Sequence, residues 1–240
     1  MSLLIVVPGF GQPELEMKTN LLKHNLDIIT KNFKNTINLR LFNYMDEHVN
    51  FMSKSVNFTH TGINVLEYVE KGLLGEKIYK YVKPESVTEE YVLILLDDVK
   101  LTEEVNINTL LQYQHLYGID IISPGVYNAS HAYMEPLDKP CIRKVETLEL
   151  FFYLMSRDSY VKYHSLYDNN TRWAWGIDAC LVKKGLTSGI VDNMKAHHLL
   201  SKVSYGEKGL REAQHEMKYN LTRFNAIWKI KAPLEVFQLS

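Results

Sequence analysis

Cysteine is almost absent: the 240 residues hold only Cys141 and Cys180. Two thiols cannot staple a chain of this length, which excludes a disulfide scaffold and leaves reduced thiols in the cytosol as the expectation. Long apolar runs are missing too. Leu3–Val7 is far shorter than the ~20 residues a membrane span needs, so no transmembrane segment is expected. It lacks a basic start and a small-residue cleavage pattern, so no leader is expected and the location reads as cytoplasmic. There is no charge excess, with 27 Lys and Arg against 28 Asp and Glu. That balance offers no broad attraction to a polyphosphate backbone, so nucleic acid is not an expected partner. The chain carries no G-x-G-x-x-G, no G-x-x-x-x-G-K-[ST], no H-E-x-x-H and no cysteine-rich zinc spacing. A standard dinucleotide fold, a P-loop kinase and a structural zinc site are thereby disfavoured.

What is present is an ordinary globular composition, 46% hydrophobic and 23% charged, enough to bury a substantial core. Leu3–Val7 reads as a buried first strand ended by Pro8-Gly9-Phe10-Gly11. Leu15 to Phe33 has helical spacing, Ile37–Phe42 reads as a strand, and Val65, Leu66, Val69 and Leu73 are spaced for a helix over residues 63–75. Tyr91–Leu96 is the most apolar strand. A helix is expected over residues 106–117 and a strand over 119–123. Alternating strands and helices over residues 1–125 predict an α/β layer fold with a mostly parallel sheet. Strands are expected at Cys141–Val145 and Glu149–Met155, and a C-terminal helix over 207–230. One compact unit is expected: residues 1–125, a second half over 126–205, and a tail over 206–240.

Four features carry possible chemistry, each with a plainer reading beside it. Tyr91–Leu96 runs into Asp97-Asp98; carboxylates beyond a strand's carboxyl end suit a hard divalent cation, whereas the plain reading is a solvated turn with an aspartate cap. Pro8–Gly11 lets a ligand approach backbone closely, or is a tight turn. Trp173-Ala174-Trp175-Gly176-Ile177-Asp178 places aromatic faces beside a possible general base; the alternative is a core tryptophan pair with a capping aspartate. Ile190-Val191-Asp192 followed by His197-His198 can bring an imidazole to the same sheet edge, or is simple decoration. Tyr153, Tyr160, Tyr163 and Tyr167 read as packing in preference to a carbohydrate groove.

The order of these features resembles the GT-A glycosyltransferase superfamily, and within it inverting enzymes with a W-G-[IL]-D segment, including small glycosyltransferase domains of large DNA viruses that infect algae. The resemblance covers most of residues 1–200. It implies a Rossmann-like GT-A fold and transfer of a hexose or pentose from a nucleoside-diphosphate sugar to an acceptor hydroxyl, the acceptor being a carbohydrate or glycan. If the chain is viral, the location becomes host cytoplasm. The resemblance implies Mn²⁺ or Mg²⁺ held by Asp98 and His198, with His197 the fallback. Asp97 would face the ribose or donor sugar, while Leu96 replaces the usual first aspartate of the D-x-D motif. Val7, Pro8 and Gly9 would flank the nucleotide, and Gly62, after Thr61, would open a helix facing the diphosphate. Trp175 and Gly176 would pack on a sugar, and Asp178 would be the catalytic base. The competing readings are a non-catalytic sugar-nucleotide-binding module and a nucleotidyltransferase.

Overall fold

The computed structural model describes residues 1–11, 14–45, 62–137, 139–199, 206–228 and 233–239. The apolar run after Met1 forms β1 (Ser2–Phe10), with Leu3 to Val6 fully buried. Helix α1 (Leu15–Asn32) follows, burying Leu22, Asn25 and Ile29 along one stripe. β2 (Thr36–Asn43) pairs parallel with β1, and β3 (Ile63–Val69) parallel with β2. Helix α2 (Leu74–Tyr81) leads to β4 (Tyr91–Leu95), parallel to β1 on its other side. A parallel quartet β3-β2-β1-β4 results, its strands entering from the same edge.

The second half is mixed. β5 (Val99–Leu101) leaves the β4 turn and pairs antiparallel with β9 (Ser188–His198). Helix α3 (Ile107–Tyr117) is capped by Asn106, whose side chain accepts from Thr109 N at 3.1 Å, and stopped by Gly118 at φ 60°. Asparagine at the start and a left-handed glycine at the end are the expected punctuation. β6 (Ile121–Tyr127) pairs parallel with β9, and β8 (Phe152–Ser156) inserts antiparallel between β4 and β6. β7 (Cys141–Val145) flanks β9, and β10 (Glu235–Gln238) closes that edge. A buried Asp192 on β9 accepts from Arg143 of β7 at 2.6 and 2.8 Å, tying those strands together. Helices α4 (Arg157–His164) and α5 (Gly206–Arg223) complete the described elements.

The architecture is one α/β domain with a mixed central sheet flanked by helices. One element differs from the sequence expectation. Residues 63–69 are an edge strand, and the helix there is confined to Leu74–Tyr81. Ile63-Asn64-Val65-Leu66 fits both periods, and pairing along the whole of β2 favours the extended form. The tail also holds a strand, β10, that its sequence did not signal. Tyr160 and Tyr163 are 0% exposed, Tyr153 1% and Tyr167 5%, so the tyrosine-rich stretch is core.

Candidate active site

β1 and β4 end side by side: Val6 pairs with Ile94, which puts Pro8 and Gly9 level with Leu96 and Asp97. Leu96 N donates to Phe151 O at 3.1 Å, so the residues before β8 share this edge. β1 continues past Val7 through a bulge. There Gly9 lies so near the Tyr44 ring that a Cβ would meet it at 3.2 Å.

Asp97 and Asp98 point to opposite sides. Asp97 turns to α1, where Lys18 Nζ lies 2.7 Å from Oδ2. Burial pushes the Asp97 carboxyl up to about 6, with Lys18 opposing the rise and Asp98 adding to it. Asp98 turns to β9. Val99 pairs with His198, and Leu199 N donates to Asp98 O at 2.7 Å, so the antiparallel register itself brings Asp98 Oδ2 to 3.3 Å from His198 Nε2. Alternation along β9 separates the two histidines: His197 stacks on Tyr127 at 5.0 Å. Asn25 of α1 fixes β5 by donating to Val99 O at 2.7 Å and accepting from Leu101 N at 2.9 Å.

The His198–Asp98 contact has a definite electrostatic requirement. His198 Nδ1 lies 3.0 Å from Asn128 O, and a carbonyl only accepts, so Nδ1 carries the proton. Nε2 then faces a carboxylate oxygen and needs a proton or a cation between them. The Asp98 carboxylate raises the His198 pKa, with burial opposing the rise. Asp98 Oδ1 is buried without a hydrogen-bond partner. Adjacent ligands of an octahedral cation at about 2.1 Å stand about 3.0 Å apart, so the spacing fits a divalent ion. An imidazole oriented by a backbone carbonyl through its other nitrogen is the usual second-shell arrangement. Among the described residues no group of three His, Cys, Asp or Glu side chains converges. Two protein ligands completed by phosphate and water oxygens is the pattern Mg²⁺-type ions adopt.

Asp178 opens a short 3₁₀ turn (Asp178–Lys184), and its Oδ1 accepts from Ala179 N at 3.1 Å. Burial raises its carboxyl to about 7. Burial raises the hydroxyls of Tyr133, Tyr153 and Tyr163, and the Asp178 charge adds to the rise. The segment after β6 touches both groups electrostatically: its Asn128 carbonyl holds His198, and its Tyr133 hydroxyl, raised first by burial, is raised further by the Asp178 charge. Trp175 and Gly176 belong to the Thr171–Ile177 loop, which α5 clamps. Buried Glu216 accepts from Arg172 N at 2.7 Å, Trp173 N at 2.8 Å and Trp175 N at 3.2 Å, while Asn220 donates to Trp175 O at 2.9 Å. Gly176, at φ 81°, abuts Met217.

Gly62 does not join this site. It precedes Ile63, which pairs with Ile37 and through it with Leu3, so Gly62 lies at the amino edge of the parallel quartet, opposite Asp97 and Asp98. It opens a strand, not a helix; Thr61 before it lies outside the described residues.

Sequence reasoning missed several neighbours. Lys18 and Lys77 are buried lysines on apolar helix faces, a pattern that could have flagged them. Lys77 Nζ sits 3.4 Å over the Tyr44 ring, and burial lowers its pKa to about 8 despite Glu70, Asp97 and Glu76. Glu149, also buried, accepts from Ser130 N and pairs with His131, whose ring lies 5.4 Å from Trp228. Nothing in the spacing of Glu216 announced its role.

The α2 N terminus packs on the same loop: Gly75 N donates to Arg172 O at 2.7 Å, and a Cβ there would lie 2.4 Å from Thr171 O. Gly75→Ala is therefore expected to destabilise by about 1–3 kcal/mol, lowering the melting temperature by roughly 3–10 °C. An unchanged melt would show that the loop gives way freely.

The mixed sheet with helices on its faces has the fold of solved GT-A glycosyltransferases. GalNAc-T7, solved with UDP, GalNAc and Mn²⁺, superposes with a TM-score of 0.63 at 7% identity over 94% of this chain and 50% of its own. TarS of S. aureus gives 0.61 at 13% identity, over 95% of this chain and 41% of its own. The TarS 1-349 structure with UDP-GlcNAc gives 0.61 at 14% identity, over 95% of this chain and 68% of its own. The chain thus spans half or less of the first two. No protein-family model and no curated protein matches the chain. No helix among the described residues is long and apolar enough to cross a membrane.

Proposed function

We infer that the chain is a metal-dependent, inverting glycosyltransferase that moves a sugar from a nucleoside-diphosphate donor to an acceptor hydroxyl, the acceptor being a carbohydrate or glycan. The observation that carries this reading is the meeting of Asp98 and His198 at the carboxyl edge of β4, with the carboxyl of Asp178, on a different element, raised by burial. Two acids in unlike environments can take unlike roles. Asp98 and His198 would hold Mn²⁺ or Mg²⁺, which when bound supplies charge neutralisation for the diphosphate leaving group. Asp97, tethered by Lys18, and the backbone of Val7, Pro8 and Gly9 would border the nucleotide. Trp175 and Gly176 would border a sugar ring. Asp178 would take the proton of the attacking hydroxyl; a carboxyl near 7 is matched to that task at neutral pH. GalNAc-T7 was solved with UDP and TarS 1-349 with UDP-GlcNAc, which favours a uridine donor as the first to test.

The direct test is a panel of nucleotide sugars screened for thermal stabilisation with and without Mn²⁺. A cognate donor at about 100 times its Kd adds about 2.7 kcal/mol, or roughly 5–10 °C at this size. Stabilisation by none of them, with or without the ion, would remove the reading. Released nucleoside diphosphate then separates a transferase from a binding module, and pyrophosphate release from a nucleoside triphosphate would mark a nucleotidyltransferase.

A further inference from the structure

A groove of about 570 Å³ runs between the Asn170–Trp173 segment and the side of α5 that carries Arg211, His215, Glu216 and Tyr219. Its walls carry half-buried Trp173 and Tyr219, with Asn170, Arg172, Arg211 and His215 around them. We propose that this groove binds the distal sugars of an oligosaccharide acceptor whose reacting end lies at Asp178. The proposal rests on the transferase reading and names its acceptor class.

The wall is pre-organised. Tyr219 OH donates to Asp168 at 2.7 Å and lies 3.2 Å from the Asn170 amide, which fixes the ring. Glu76 holds Arg172 at 2.8 Å. The main chain beneath Trp173 is locked by Glu216. Aromatic faces offer area at little entropic cost, and they suit the C–H faces of pyranose rings. The amide, guanidinium and imidazole groups beside them suit vicinal hydroxyls. The alternatives fit less well. Arg172 is already paired and Glu212 adds an acid to the lining, so no cationic stripe for a nucleic acid forms. The mixture of charges gives no apolar patch for a lipid or a partner helix. Position supports the assignment as well: Asp178 lies only five positions after Trp173, an extended reach of at most about 18 Å. A short sugar chain can cover that distance, so the loop that carries the base also carries the groove wall.

The test uses the full chain on an array of immobilised oligosaccharides, with matching monosaccharides as competitors. Binding of at least one oligosaccharide, poorly competed by its monosaccharide, is expected. Trp173→Ala is expected to weaken it about tenfold or more, as loss of an aromatic anchor does. Because the indole is partly packed, the exposed pair Arg211→Ala and His215→Ala serves as a second variant, with a native melting temperature as its fold control and a weakening of about threefold or more expected. Binding to no oligosaccharide, or unchanged affinity in both variants, overturns the proposal. Stabilisation by nucleotide sugars is read separately. If it persists while the array is blank, the groove assignment alone fails; if array binding persists without nucleotide binding, the transferase reading fails.

Discussion

Asp178→Asn is expected to bind a nucleoside-diphosphate sugar with Mn²⁺ as tightly as the native chain and to transfer the sugar about 10²–10⁴-fold more slowly. An amide keeps the size and one acceptor oxygen but cannot take the proton. The bond from Ala179 N needs only that oxygen, so the turn should survive. The pH dependence is a second mark. The carboxyl is raised from 3.8 to about 7 by burial. Native transfer should therefore fall about tenfold per unit as pH drops below that value, whereas the residual rate of the variant should be flat there. Stability should move the other way. A carboxyl with a raised folded-state pKa favours its protonated form in the fold, so its contribution is full below 3.8 and is lost as pH rises through about 7. Asp178→Asn should accordingly melt above the native chain at pH 8, with the gap closing toward acid. A near-native transfer rate in the variant would show that another base operates, and His131, held by Glu149, would be the first to examine.

β1 and β4, at the centre of the parallel quartet, were legible because they are buried on both faces. Leu3–Val7 and Tyr91–Leu95 are unbroken apolar runs; the first reads as ending at Val7, but β1 continues through Pro8 and Gly9 to Phe10. β3 was misread because an edge strand with one half-exposed face satisfies helical spacing as readily as alternation. What fixed the site was mostly invisible in one dimension. Asp98 and His198 are 100 residues apart, and only the β5–β9 register says which histidine meets which aspartate. Glu216 matters because three amides of another segment converge on it, and a glutamate on an amphipathic helix looks the same whether it faces water or a loop. The error at Gly62 came from the same source: a small-residue turn has no edge until the sheet assigns one.

Asp98→Ala and His198→Ala are each expected to abolish the Mn²⁺-dependent part of nucleoside-diphosphate affinity, measured by calorimetric titration. Replacing outer partners of metal ligands costs about 10–100-fold in affinity, so losing a ligand itself should cost at least about 100-fold. His197→Ala is the internal comparison. It sits next in sequence but stacks on Tyr127, so its loss should leave the metal response intact. The contact can also be read without any metal. Asp98 is the main cause of the raised His198 pKa, and with the carboxylate gone that pKa should fall back, to be followed by NMR titration of the ring. The two readouts divide the possibilities. If the pKa falls in Asp98→Ala but Mn²⁺-dependent affinity does not, the pair is a structural hydrogen bond and the cation sits elsewhere. If neither changes, the β5–β9 register that joins the two residues is wrong, and the proposed site goes with it.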